Sequence, residues 1–194
     1  KIVYIVTNPT AQELLNPTIS KNSELLLSDV SDSPHIVIDN ERQLQLLRGK
    51  VGLLGMYPSA NKNFAKLLAQ VLKLASENSP VQTFDSKDLE KCLSATGRMM
   101  IGSTVIRDVN ARELGSTLYQ GCIKSSPCPK PAKKSATGVM LLVITPEVAS
   151  DPDISNRIEA AFSYVGGRTD TLFSGVYIKN KLPGIIAISL LGGM

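Results

Sequence analysis

Two stretches, residues 138–145 (G-V-M-L-L-V-I-T) and 184–191 (G-I-I-A-I-S-L-L), are apolar at nearly every position, and they limit what this chain can fold into. A membrane-spanning helix needs roughly 18–20 apolar residues, so neither run is one. A strand with one wet face alternates apolar and polar residues. A strand covered on both faces, or central in a mixed sheet, does not. The chain must therefore cover both faces of a sheet. Five Tyr, four Phe and no Trp leave most of that core to Leu, Ile, Val and Met. A length of 194 residues fits one domain or two small ones.

Four further strands are predicted, at residues 2–6 (I-V-Y-I-V), 36–38, 99–106 and 174–179. Phe64, Leu67, Leu68, Val71, Leu72 and Ala75 recur at helical spacing, which predicts one long amphipathic helix over 60–76. Other helices are predicted at 21–29, 40–47 (capped by Asp39 or Asn40), 88–95, 111–123 and 154–165, the last after the start signal Asp151-Pro152-Asp153. The first part reads as alternating α/β. The last four strands and two intervening helices read as a separate small sheet, with the helix at 60–76 as connector.

The chain begins at Lys1 without Met, which predicts a piece of a longer protein; no signal peptide is visible. Cys92, Cys122 and Cys128 are an odd set without a C-x-x-C pair, and read as buried thiols in a reducing cytoplasm. His35 is the only histidine, which excludes a histidine-based triad or a multi-histidine metal site. There is no G-x-x-x-x-G-K-[ST] and no G-x-G-x-x-G to cradle phosphates. A net charge of +4 is too small to imply nucleic acid without a concentrated patch. The one such patch is the Pro- and Lys-rich loop at 124–135, with Lys124, Lys130, Lys133 and Lys134. It reads either as a solvated loop or as a contact for polyphosphate, DNA or an acidic membrane surface.

The segment 80–92 (P-V-Q-T-F-D-S-K-D-L-E-K-C) carries the candidate chemistry. Asp85 and Asp88 are three apart where a loop enters a helix, so they project from one edge of the first turn. Asp85 suits an N-cap, and Asp88 the favoured first-turn position for a carboxylate. The same pair could orient a water or a metal for attack on a phosphate. The residues alone leave both readings open.

In order, seven segments resemble the second half of the FtsZ/tubulin superfamily. I-V-Y-I-V-T-N-P at the start resembles the strand ending V-T-x-P. H-I-V-I-D-N-E-R-Q-L-Q-L-L, His35 onward, is similar to the strand and helix start reading V-I-P-N-D-x-L-L or V-D-N-E, and the helix at 60–76 to the family's central helix. M-M-I-G from Met99 resembles L-M-G-I-G, and I-K-S-S-P from Ile123 resembles I-S-S-P-L. T-G-V-M-L-L-V-I from Thr137 resembles G-V-L-x-N-I, and L-F-S-G-V-Y-I from Leu172 resembles I-F-G-x-V-I.

The resemblance implies an α/β chain: the end of a Rossmann-like GTP-binding domain (1–58), a central connecting helix (59–79), and a small activation domain (80–194) with a four-stranded mixed sheet and two helices. It places Asp85 and Asp88 on the acidic positions of the N-x-D-F-x-D loop, which completes the GTPase site of the neighbouring subunit. It places Asn63, with Asn61 second, where the central helix meets the guanine base. GTP with Mg2+ is the implied cofactor, not expected to bind these residues alone, because the family's glycine-rich phosphate loop would precede Lys1. The implied partner is a further copy, in a head-to-tail protofilament serving cell division or plasmid segregation, with a DNA adaptor or a membrane adaptor.

Thr83 stands where the family loop has Asn, and Ser86-Lys87 replace Phe-x, which are departures of a divergent FtsZ-like or TubZ-like member. Two alternatives follow. One is a catalytically inactive assembly regulator that caps or co-polymerises with an active partner. The other is an unrelated α/β binding domain.

Overall fold

The computed structural model describes residues 4–7, 35–39, 52–55, 61–93, 97–107, 113–126 and 134–193. Helices predicted at 21–29 and 40–47 lie outside these residues, as do Cys128 and most of the basic loop. The described strands are β1 (Tyr4–Thr7), β2 (His35–Asp39), β3 (Gly52–Gly55), β4 (Gly97–Ile106), β5 (Ser135–Ile144), β6 (Thr169–Ile178) and β7 (Ile185–Gly192). The described helices are α1 (Asn61–Ala75), α2 (Ser86–Leu93), α3 (Leu114–Ser125), α4 (Pro146–Ala149) and α5 (Ile154–Gly166). All six predicted strands are present. β3, with the sequence G-L-L-G, has too short an apolar stretch to register as a run, and α4 is a single turn started by Thr145, which accepts from the N–H of Val148.

The strand order is β1-β2-β3-β4-β7-β5-β6. β1, β2 and β3 pair in parallel. The last four strands form the expected mixed sheet: β7 runs antiparallel to both β4 and β5, and β5 parallel to β6. This sheet is not separate from the first three strands, because β3 and β4 pair at Gly52–Gly97 and Leu53–Arg98.

β5 and β7, which contain the two apolar runs, are the inner strands of the mixed sheet, and β5 is buried at every position from Gly138 to Ile144. Burial on both faces is what their unbroken apolar sequence requires. α1 and α2 cover one face and α3 and α5 the other. From α1, Leu68, Val71, Leu74 and Ala75 enter the core, with Leu67 and Leu72 on its margin. α3 lies so close to β4 that a Cβ on Gly102 would stand 2.0 Å from the Cys122 carbonyl oxygen. Ser125, the last residue of α3, then reaches the open edge of β4, where its hydroxyl accepts from Ser103 N–H (3.0 Å) and meets the Ser103 carbonyl.

β6 begins five residues before its predicted start at 174, because its first half (T-D-T-L-F) is an only partly buried edge rather than an apolar run. Its C-terminal half is the platform on which the acidic loop sits.

Candidate functional site

The loop between α1 and α2 is built onto the outer edge of β6. Val176 turns its N–H and C=O away from β5. Its N–H donates to the Gln82 carbonyl at 2.9 Å, in an antiparallel bridge, and its carbonyl accepts from the Ser79 hydroxyl. Ser79 Oγ also accepts from the N–H groups of Val81 (3.1 Å) and Gln82 (3.3 Å), and Gln82 Nε2 donates to Ser174 Oγ at 2.7 Å. Thr83 binds back on Ser79: Oγ1 accepts from the Ser79 N–H at 3.2 Å and donates to its carbonyl at 3.4 Å. Thr83 is therefore a turn-closing residue, a task its short hydroxyl performs locally.

Phe84 is fully buried, over Gly175, where a Cβ would stand 2.8 Å from Phe84 Cβ. Its backbone has no strand neighbour. The Tyr177 hydroxyl accepts from Phe84 N–H (3.2 Å) and donates to Phe84 C=O (2.9 Å). Tyr177 is 2% exposed, and burial pushes its phenol above the ordinary value, with the carboxylates of Glu77, Asp85 and Asp88 adding to that shift.

Asp85 and Asp88 follow directly and form a reciprocal cap on α2. Asp85 Oδ1 accepts from the N–H groups of Lys87 (2.8 Å) and Asp88 (3.0 Å), while Asp88 Oδ2 accepts from Asp85 N–H at 3.4 Å. This capping box draws the helix start back to Ser86 from the predicted 88. The Asp88 N–H bond, opposed by slight burial, holds the Asp85 carboxyl below its usual 3.8, with help from Lys87 and Lys91. Asp85 is exposed and Asp88 half-buried. Asp85 Oδ2 and Asp88 Oδ1 accept nothing from the described residues.

Asn61 and Asn63 open α1, and their side chains lie outside the described residues. Among the described residues, no three His, Cys, Asp or Glu side chains are grouped to hold a metal ion. The basic loop is described only at its ends, where Lys134 pairs with Asp170 at 3.0 Å. Cys92 and Cys122 are buried free thiols, each pushed up to about 12 by burial. A cleft of about 480 Å³ opens between the first turn of α3 and Arg157, Ala160 and Tyr164 of α5. It is on the sheet face opposite the loop and contains no candidate residue. No described helix is long and apolar enough to cross a membrane.

The anchors Ser79 and Gln82 carry no motif, and the resemblance of the segment L-F-S-G-V-Y-I gives Tyr177 no role. The one signal for Tyr177 is a hydroxyl inside an apolar strand, since a buried tyrosine needs a hydrogen-bond partner.

No protein-family model and no curated protein matches the chain. Solved structures do. CetZ2 from Haloferax volcanii, in a GTPγS-bound protofilament, aligns with 86% of this chain and 58% of its own length at 16% identity and a TM-score of 0.64. TubZ from Bacillus thuringiensis serovar israelensis, in a GTPγS-form protofilament, aligns over 99% and 60% at 12% identity and a TM-score of 0.68. An empty FtsZ dimer from M. jannaschii aligns over 98% and 54%, at 14% identity and a TM-score of 0.54. The chain thus spans a little over half the length of these solved relatives. Identities of 12–16% speak for architecture alone, and over nearly its whole length the architecture of this chain is the FtsZ/tubulin-superfamily fold.

Proposed function

We propose that the chain is part of a GTP-dependent, self-polymerising protein, and that Asp85 and Asp88 of one subunit complete the GTPase site of the next. The observation that carries this reading is the acidic pair itself: two carboxylates at the end of an anchored loop, each with one oxygen that accepts nothing from the described residues. Asp85, held ionised, accepts a proton or hydrogen bond from a water placed beside the neighbour's γ-phosphate, and Asp88 fixes the water from its other side. Both act in trans, so assembly creates the site. The likeness to CetZ2 and TubZ, both solved as protofilaments with GTPγS, supports the partner and the nucleotide. Two carboxylate oxygens fit a water or a cation beside a phosphate and fall short of a full Mg2+ shell, so Mg2+ arrives with the nucleotide. Asn63, or Asn61, is assigned to the guanine edge, and the phosphates to a glycine-rich segment outside these residues. Cell division and plasmid segregation are the two settings for such a filament.

The test is Asp85→Ala and Asp88→Ala in the whole protein. Turnover should fall at least about tenfold per residue while filaments still form. Unchanged turnover would remove the catalytic assignment.

A second reading draws on the capping box. Because one oxygen of each carboxylate is occupied in starting α2, the pair has a purely structural use. In that case the protein is an assembly regulator that caps or co-polymerises with an active partner. Wild-type filaments with no turnover, and co-sedimentation with an active homologue, would establish it.

A further inference from the structure

We infer that Tyr177 is the positioning residue for the acidic loop, setting through Phe84 where Asp85 and Asp88 stand. The inference rests on the reading of that pair given above. The loop is tied to β6 in two places that differ in kind. Upstream, at Ser79 and Gln82, the ties are numerous and engage the Val176 backbone and Ser174. Downstream, the tie is one hydroxyl. Tyr177 Oη closes both the N–H and the C=O of Phe84, and the next residue is Asp85.

No slack lies between that hydroxyl and the cap. Phe84 is buried under the sheet, Asp85 receives the first N–H groups of α2, and Leu89 N–H donates to the Asp85 carbonyl at 3.1 Å. A shift of Phe84 is therefore a shift of both carboxylates and of the helix start. The rest of the loop does not oppose it, because Gln82 and Ser79 hold the chain on the far side of Thr83. Gly175 shows how closely the position is set: its missing side chain is the space that Phe84 occupies. Tyr177 touches no reacting atom in this arrangement. It acts by fixing the peptide that bears the pair, and misplacement of about 1 Å at a reacting centre can cost on the order of a hundredfold in rate.

The experiment compares Tyr177→Phe with the unmodified whole protein. The variant removes one oxygen and keeps the ring. Expected are filaments at the same critical concentration, an unchanged KM for GTP, and kcat per polymerised subunit lowered about tenfold to a hundredfold. Amide exchange at Phe84 and Asp85 in the unassembled protein should rise, while that at Val176 stays protected. Loss of the two buried bonds lowers the melting temperature in either case; a purely structural tyrosine would do so with kcat per polymerised subunit unchanged. Gly175→Ala, which keeps the hydroxyl but crowds both Phe84 and the Tyr177 ring and so shifts one against the other, should lower kcat in the same way and covers the case in which Tyr177→Phe does not fold. Normal kcat in the folded variants, with Asp85→Ala still impaired, overturns the role of Tyr177 and leaves the acidic pair in place. Normal kcat in Asp85→Ala and Asp88→Ala overturns the underlying reading, and the positioning role with it.

Discussion

The two outer strands of the mixed sheet meet the same difficulty in different ways. An edge strand exposes backbone groups that would template another chain. On β4, whose first residues pair with β3, the edge beyond that pairing is met by Ser125, at the end of a helix held against the strand through Gly102. On β6 it is closed by Ser79 and Gln82, which belong to a loop. Both edges use a serine hydroxyl on a backbone peptide. The second carries two carboxylates, each with an oxygen that accepts nothing from the described residues. The β4 edge is thus part of the core's mechanics, and the β6 edge is where the fold holds a polar loop still without burying it.

The comparison breaks most easily at β4. Gly102→Val should cost about 3 kcal/mol or prevent folding, because a side chain there meets the α3 backbone; chemical denaturation gives the value. Alkaline unfolding comes next. Cys92 is on the buried face of α2 and Cys122 on that of α3, and both thiols are raised from 9.0 to about 12. A folded value above the unfolded one means stability fully present below pH 9 and lost as pH rises towards 12, by up to about 1.4 kcal/mol per pH unit for each thiol. Urea midpoints between pH 8 and 11 should show the loss, and Cys92→Ala should remove about half of it.

Ser125→Ala and Ser79→Ala sharpen the contrast. Each should cost about 1 kcal/mol. Only Ser79→Ala should also lower nucleotide turnover in filaments, because only its edge carries the acidic pair. At low pH the Asp85 cap fails. Its folded carboxyl titrates below 3.8, so its contribution is present above that value and disappears as pH falls through the lower, folded one. Asp85→Asn should flatten that part of an acid titration followed by circular dichroism. Smallest of all, removing the surface pair between Lys179 and Glu77 by Lys179→Ala should change stability by about 0.5 kcal/mol or less.

Much of the architecture was legible because burial leaves a pattern. The apolar runs in β5 and β7 and the stripe on α1 are pattern and burial at once. β3 was not legible, since two leucines flanked by glycine have no period to read. Nor was the first half of β6, whose polar residues suit an edge and equally suit a loop. At the site, Asp85 and Asp88 stood out, while the contacts that hold them did not. Val176 presents only its peptide to the loop, and a peptide has no signature in sequence. The two readings of the acidic pair also coexist in space, because a carboxylate has two oxygens and capping uses one of each.

The position of β7 has a temporal consequence. It is the last described strand along the chain, yet it lies between β4 and β5. Until it has been synthesised, β4 and β5 lack the neighbour they share, and the nascent chain holds the β3–β4 and β5–β6 pairs with the strand between them absent. Closure must therefore wait for residues 185–192 to clear the ribosome, and a message cut short before them yields a chain with two open, apolar strand edges exposed to quality control.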